Sequence, residues 1–292
     1  MSDPFEDYDL DDDNDVDLNP SNKAPSNRIE RFKGEAGRTY LASLMYFHPL
    51  EASIIKAAKK MAKKDGTELD KELVKSKIKE ALAKRAEKLK TSVDELAPWQ
   101  KLDTSKAQFK KVETQFCKQQ GAAGLYVSRR GKDGAEGDKV WNMLEDPSIY
   151  YYTVILLYPT DRNGEVDVQA IMREGIVKPW RFAGGVFNRL IEINQNLSKV
   201  ESSLSLANQD LKLKCKNSQF QNFDIDFSGK AIWLRNDKVR DKFLPQAFNL
   251  YEKMVDAREV STADLKEKLG VGGGDSGEDV ADEDMEDLLG NI

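Results

Sequence analysis

The segment from Ile149 to Tyr158 constrains the fold of this chain more than any other. Three tyrosines (Tyr150, Tyr151, Tyr152) lead into Thr153-Val154-Ile155-Leu156-Leu157, a run unbroken by charge. Aromatic and β-branched side chains suit a pleated surface that is at least half-buried, and Pro159 ends the run. The expectation is the strongest strand of a sheet, which cannot be stable without neighbours. Asn163-Gly164 then supplies a hairpin turn, which predicts a return strand over Glu165 to Arg173. The most apolar part, Val154 to Leu157, is far too short to span a bilayer, so no membrane partner is expected.

Short extended pieces surround this strand. Arg38 to His48, Phe109 to Cys117, Gly124 to Arg130, Val177 to Phe182 and Lys230 to Leu234 are candidates. Leu211 to Lys216 alternates, with Leu211, Leu213 and Cys215 on one face and Lys212, Lys214 and Lys216 on the other. Phe223, Ile225 and Phe227 share a face. Gly184-Gly185 opens a helix with Val186, Phe187, Leu190, Ile191 and Leu197 on its apolar side. Phe243 to Val255 reads as a second helix, and a last short one runs from Ser261/Thr262 to Gly270. Several short strands broken by one helix and followed by more strands fit a small closed barrel. The expected class is α+β, mainly β with inserted helices, built on the five-stranded OB-fold barrel over residues 28–260.

A helical hairpin is inserted at 51–97. Ile54, Ile55, Ala58, Met61 and Ala62 form one apolar stripe, and Leu69, Leu73, Ile78, Leu82 and Leu89 another, with Asp65-Gly66 between them. Its outer face is Lys-rich (Lys56, Lys59, Lys60, Lys63, Lys64, then Lys75, Lys77, Lys79, Lys84 and Arg85). A solvated helical face is the simpler reading of these lysines than direct nucleic-acid contact.

Charge is distributed unevenly along the chain. Residues 1–20 hold nine acids and residues 271–292 hold eight, and neither segment has a Lys or Arg. The remaining 34 acids and all 45 bases fall in residues 21–270, so a formal net charge of −6 hides a body of +11. Residues 1–27 and 271–292 cannot bury enough apolar surface to offset their ordering entropy and are expected to be disordered acidic tails. A basic body between such tails suggests a polyanionic partner.

Little in the chain points to catalysis. No phosphate-binding G-x-x-x-x-G-K-[ST] loop occurs. The single histidine, His48, has no nucleophile or orienting group in its sequence neighbourhood. The two cysteines, Cys117 and Cys215, form no spaced cluster and sit at inward strand positions, so no metal, cofactor or disulfide is expected. The one enzyme-like pattern is Asp224-x-Asp226, a pair that could hold Mg²⁺ in a nuclease, although it is also the polar side of a half-buried strand.

Cationic and aromatic residues in close sequence fit single-stranded nucleic acid better, since such strands are held by a basic groove and by rings on which bases stack. Lys212, Lys214 and Lys216 project at a spacing of about 6.6–7 Å. Phe220, Phe223 and Trp233 follow, while Tyr150 to Tyr152 and Trp180-Arg181-Phe182 lie upstream.

The stretch Leu211-Lys212-Leu213-Lys214-Cys215-Lys216-Asn217-Ser218-Gln219-Phe220-Gln221-Asn222-Phe223-Asp224 resembles the Lys-alternating strand and following turn of the helix-destabilising, single-stranded DNA-binding proteins of T-even phages. Tyr150 to Leu157 is similar to that family's aromatic-led strand, and Lys178-Pro179-Trp180-Arg181-Phe182 to its basic-aromatic run before a helix. The resemblance covers about residues 149–227 and the C-terminal tail. It implies that Tyr150, Tyr151, Trp180, Phe220 and Phe223 stack on bases and that Lys212, Lys214, Lys216 and Arg181 hold phosphates. It also implies that the tail, with Asp282, Glu283, Asp284, Glu286, Asp287, Leu288, Leu289 and Ile292, contacts replication or recombination proteins such as a polymerase, helicase loader or recombinase.

The chain departs from the family in three ways. It lacks the family's zinc-binding Cys/His cluster, its N-terminal arm is acidic, and its hairpin at 51–97 has no family counterpart. Arg28, Arg31 and Lys33 could supply part of what the family's basic arm does in self-association on DNA. The functional expectation is a non-enzymatic, sequence-tolerant single-stranded DNA-binding protein of phage replication, recombination and repair, acting in the host cytoplasm. The alternatives are a Mg²⁺-dependent nuclease using Asp224 and Asp226, or a DNA-mimicking interaction protein acting through its acidic tails.

Overall fold

Alternating and 3.6-period segments of the sequence become, in chain order, β1 (Thr39–Leu44), α1 (Leu50–Asp65), α2 (Lys71–Leu89), β2 (Lys110–Cys117), β3 (Leu125–Arg129) and β4 (Ser148–Tyr158). There follow α3 (Val168–Glu174), β5 (Ile176–Ala183), α4 (Gly184–Val200), β6 (Gln209–Cys215) and β7 (Phe223–Lys230). The last elements are α5 (Ile232–Arg235), α6 (Asp237–Phe248), β8 (Arg258–Val260) and α7 (Thr262–Leu269). The computed structural model describes residues 29–117, 125–129, 139–160, 165–216 and 223–271. Both acidic tails, the Asn163-Gly164 turn and Phe220 lie outside the described residues. The fold is α+β with mostly antiparallel strand pairing. No helix among the described residues is long and apolar enough to cross a membrane.

Residues 28–260, expected as one core, contribute to two compact units. The first draws on the chain up to Glu113 and from Ser148 to Asp256, the second on Thr114 to Pro147 and the chain from Ala257 onward.

In the first unit five strands pair antiparallel in the order β5-β4-β1-β6-β7. No pairing among the described residues joins β5 to β7, so the sheet is open at these two edges where a closed barrel was expected. β4 is buried on both faces, which explains why its sequence runs apolar without alternation. On one side Ile155, Trp180, Phe182, Leu211, Leu213 and Cys215 pack against Val186, Phe187, Leu190, Ile191, Ile193 and Leu197 of α4. On the other, Tyr152, Val154, Leu156 and Tyr158 pack against Ile171, Trp233, Val239, Phe243 and Leu244 from α3, α5 and α6.

The segment Ile29 to Gly37 fills the space between the open edges. The Phe32 N–H donates to the Pro179 carbonyl (2.8 Å) on β5, and the Gly37 N–H to the Cys215 carbonyl (2.9 Å) on β6. The Phe32 ring lies 6.0 Å from Trp180 and 5.9 Å from Phe223, centroid to centroid. A Cβ at Gly34 would come within 2.8 Å of the Phe223 ring and 2.9 Å of the Cys215 Cβ, so the chain runs this close only because position 34 has no side chain.

Two expected strands are helical instead. Glu165 to Arg173 does not return as a strand; Asp167 accepts from the N–H groups of Gln169 and Ala170 and caps α3 there. Lys230 to Leu234 ends in α5, whose Ile232 N–H donates to the Asp210 carboxylate (3.1 Å) at the start of β6. Asp210 is buried and also accepts from Ser43 on β1 and from the Tyr158 hydroxyl (3.1 Å) on β4. One carboxylate thus ties three strands to a helix. Burial pushes its pKa up to about 6 against the opposing effect of these donors.

The helical hairpin forms, but the expected apolar stripes are not its buried side throughout: Met61, Leu73 and Leu89 are exposed, and Val74 and Ala86 are the buried residues of α2. Gly66, at φ 66°, supplies the left-handed residue that ends α1, and Asp70 caps α2 through the Leu73 N–H (2.9 Å). Arg85 anchors it by donating to the Gln100 (2.9 Å) and Leu102 (2.5 Å) carbonyls. α1 has no fully buried residue. Its five lysines at i, i+3 and i+4 spacings repel one another, each such pair costing about 0.2–0.5 kcal/mol of helix stability. In the last turn Lys63 and Lys64 recover part of this against the helix dipole.

In the second unit β3 pairs antiparallel with β2 and parallel with β8. Val127, Val140, Trp141, Leu144, Val260 and Leu265 form its core, and the Trp141 indole donates to the Thr262 hydroxyl (2.9 Å). Ser261 and Asp264 cap α7 reciprocally, and Gly270 ends it as expected.

Candidate nucleic-acid interface

The β4–β5 register sets Tyr150 against Ala183 and Tyr152 against Arg181, which puts Tyr150, Tyr152 and Arg181 on one face of the ribbon. The Arg181 guanidinium stands 4.6 Å from the centroid of the Tyr150 ring. Arg181 donates to Asp256 (3.2 Å), as do Arg31 (2.9 Å) and the Tyr152 hydroxyl (2.7 Å). Burial and the adjacent Asp256 charge push the Tyr152 phenol well up, so it remains a donor at neutral pH. The side chains of Arg31, Arg181 and Asp256 keep 23%, 14% and 25% of their surface, so the group is open at its outer side. Two guanidinium groups and a phenol that converge on one oxyanion, beside the partly buried Tyr150 ring, are a donor set that also suits a phosphate.

The remaining stacking candidates are placed differently. Trp180 is fully buried, with its ring 4.5 Å from Phe182 and 5.5 Å from Phe223, and Phe223 is buried too. Tyr151 lies flat on Phe187, centroids 3.9 Å apart. Trp180 and Phe223 thus build the core and present no face to a base, whereas Tyr151 is half-buried with one face covered by Phe187. The reason is strand parity: Tyr151 and Trp180 directly adjoin Tyr150 and Arg181, and neighbours on a strand point to opposite sides. Trp233 is likewise fully buried. Phe220 and the tail residues from Asp282 to Ile292 lie outside the described residues.

Lys212, Lys214 and Lys216 are exposed, and Cys215 between them is buried, as the alternation requires. The β6–β7 register, however, sets Asp226 opposite Lys212 and Asp224 opposite Lys214, and Lys216 forms an ion pair with Asp224 (2.5 Å). The ladder therefore faces its own counter-charges along the next strand. The same register bears on the nuclease alternative, because Asp224 and Asp226 face lysines. Among the described residues no group of three or more His, Cys, Asp or Glu is placed to hold a metal ion.

Sequence reasoning did not single out Asp256, and it considered Arg31 only for self-association. Phe227 shares the parity of Phe223 and Ile225 as expected, yet it lies 56% exposed. A cleft of about 670 Å³ between α3 and the α5–α6 corner carries three more cations, Arg173, Arg235 and Lys238. Compared with protein-family models and with curated proteins, the chain matches none.

Proposed function

We propose that this protein binds single-stranded DNA without sequence preference, through an OB-type sheet whose second and third strands carry the contact surface. The observation that carries the reading is the strand order. Taken alone, the five strands of the first unit run 3-2-1-4-5, with α4 between the third and fourth. That is the connectivity of the OB-fold barrel without the pairing of its third and fifth strands. In such barrels the face of strands 2 and 3 binds oligonucleotides. Here those strands are β4 and β5, and they bring together Tyr150 and Arg181, with Arg31 and Asp256 beside them. The net charge of +11 over residues 21–270 supports the same reading.

The test is titration of a fluorescein-labelled oligothymidylate, read by anisotropy. Tyr150→Leu preserves apolar packing and removes the stacking face; its affinity is expected to fall about tenfold, in line with roughly 1–3 kcal/mol per stacked base. A full-length protein that leaves the oligonucleotide unbound at low salt overturns the reading.

The proposal extends to the acidic C-terminal tail as a contact for replication and recombination proteins in a phage-infected cell. Eight acids following a basic body compete with DNA for its cations. Removing residues 271–292 is expected to raise DNA affinity several-fold at low salt, and anisotropy of the truncated chain checks this. By linkage, a partner that holds the tail raises DNA affinity in the same way.

A further inference from the structure

We infer that the lysine stripe on α1 is a second contact for the single-stranded nucleic-acid backbone, an inference that rests on the DNA-binding reading above. Lys56, Lys59, Lys60, Lys63 and Lys64 recur at i, i+3, i+4, i+7 and i+8, which places all five on one face along about 12 Å of helix. No acid lies between Glu51 and Asp65. On the neighbouring helix α2, Lys75 pairs with Glu72 (2.8 Å) and Lys84 with Glu80 (2.6 Å). Lys59, Lys63 and Lys64 are exposed and form no ion pair with a described residue.

Two further facts point to a ligand outside the chain. First, α1 has no fully buried residue and its apolar side is only half-buried, so packing repays the stripe's self-repulsion less than it would in a core helix. Second, the hairpin lies in the connection from β1 to β4, the first and second strands of the five-stranded order. In an OB-type sheet that connection flanks the oligonucleotide-binding face. The occupant is a phosphate backbone on grounds of charge complementarity. Compact point charges on flexible stems, recurring along one helix face, match a uniformly charged strand and read no sequence.

The experiment uses the full chain with Lys59→Gln, Lys63→Gln and Lys64→Gln combined, titrated against labelled oligothymidylate over a range of salt concentrations. Each lost phosphate contact lowers the slope of log K against log salt by roughly 0.7, so the slope is expected to become shallower by roughly 2. Affinity at low salt is expected to fall about tenfold or more, with far-UV circular dichroism unchanged. The control carries Lys75→Gln and Lys84→Gln, whose lysines are already paired, and keeps a slope close to the parent's. A triple variant with the parent slope overturns the inference and leaves the stripe to an acidic protein partner. Failure of the parent chain to bind at all removes the DNA-binding reading itself and this inference with it. Loss of affinity in Tyr150→Leu but not in the triple variant removes only the stripe.

Discussion

Asp210→Asn is expected to change how stability responds to pH, in the direction opposite to that of most carboxylate substitutions. The Asp210 carboxyl is buried among Ser43, Tyr158 and the Ile232 N–H, and its pKa rises from an ordinary 3.8 to about 6. A carboxyl whose folded pKa lies above its unfolded one contributes stability that is complete below about 3.8 and lost as pH rises through about 6. Each unit is worth 1.36 kcal/mol, so the parent gives up about 3 kcal/mol at this site by pH 8. About half of that returns on acidification to pH 5. The Asn side chain keeps the shape and an acceptor but does not titrate. Urea unfolding at pH 8, 6 and 5 should therefore show the parent gaining on the variant by about 1.5 kcal/mol as pH falls. Parallel pH profiles would falsify the assignment of a raised pKa to this carboxyl.

Phe32→Ala is expected to cost about 3–5 kcal/mol, the range for removing a buried aromatic ring. Phe32 is 6% exposed and touches Tyr40, Trp180 and Phe223, rings on β1, β5 and β7. Among the described residues no strand hydrogen bonds join β5 to β7, and Phe32 packs on both members of the one ring pair, Trp180 and Phe223, that meets directly across the two edges. Gly34 already lies against Phe223 and Cys215, so the strap cannot sink to fill the cavity. The urea midpoint should fall without a change in slope, and tryptophan emission should shift to the red as Trp180 meets water. A loss below about 1 kcal/mol would show that the strap merely covers an edge that is stable without it.

Most of the architecture was legible because its elements follow simple periods. The Leu211–Cys215 alternation, the apolar Tyr152–Leu156 run and the stripe from Val186 to Leu197 each specify one element and its buried side. The errors arose where a distant group decided the local conformation. Ile232 reads as strand, but an Asp210 carboxylate 22 positions away accepts its N–H and starts a helix. Val168, Ile171 and Met172 have helical spacing, yet the Asn163-Gly164 signal drew that segment into a hairpin. At the site, aromatic and cationic residues were recognised by type, whereas parity decides which of two adjacent residues faces outward. Tyr150 and Arg181 remain in the candidate interface, Trp180 belongs to the core, and Tyr151 is half-buried on the opposite side of the strand from Tyr150. Asp256 carried no signal, because one carboxylate among many declares its role only when two guanidinium groups meet on it.

The second unit carries a consequence for the order in which the protein is made. Its sheet joins β3, near position 127, to β8, near position 259, and its core is completed only by Leu265. During synthesis from the N-terminus, β2 and β3 emerge long before the strand and helix that cover them. The β3 edge then stands unpaired while more than a hundred further residues are added. A chain interrupted between Lys230 and Arg258 keeps every strand of the first unit's five-stranded order and an unfinished second unit with an adhesive edge. The nascent chain is therefore most vulnerable to misassociation while the first unit is already taking shape.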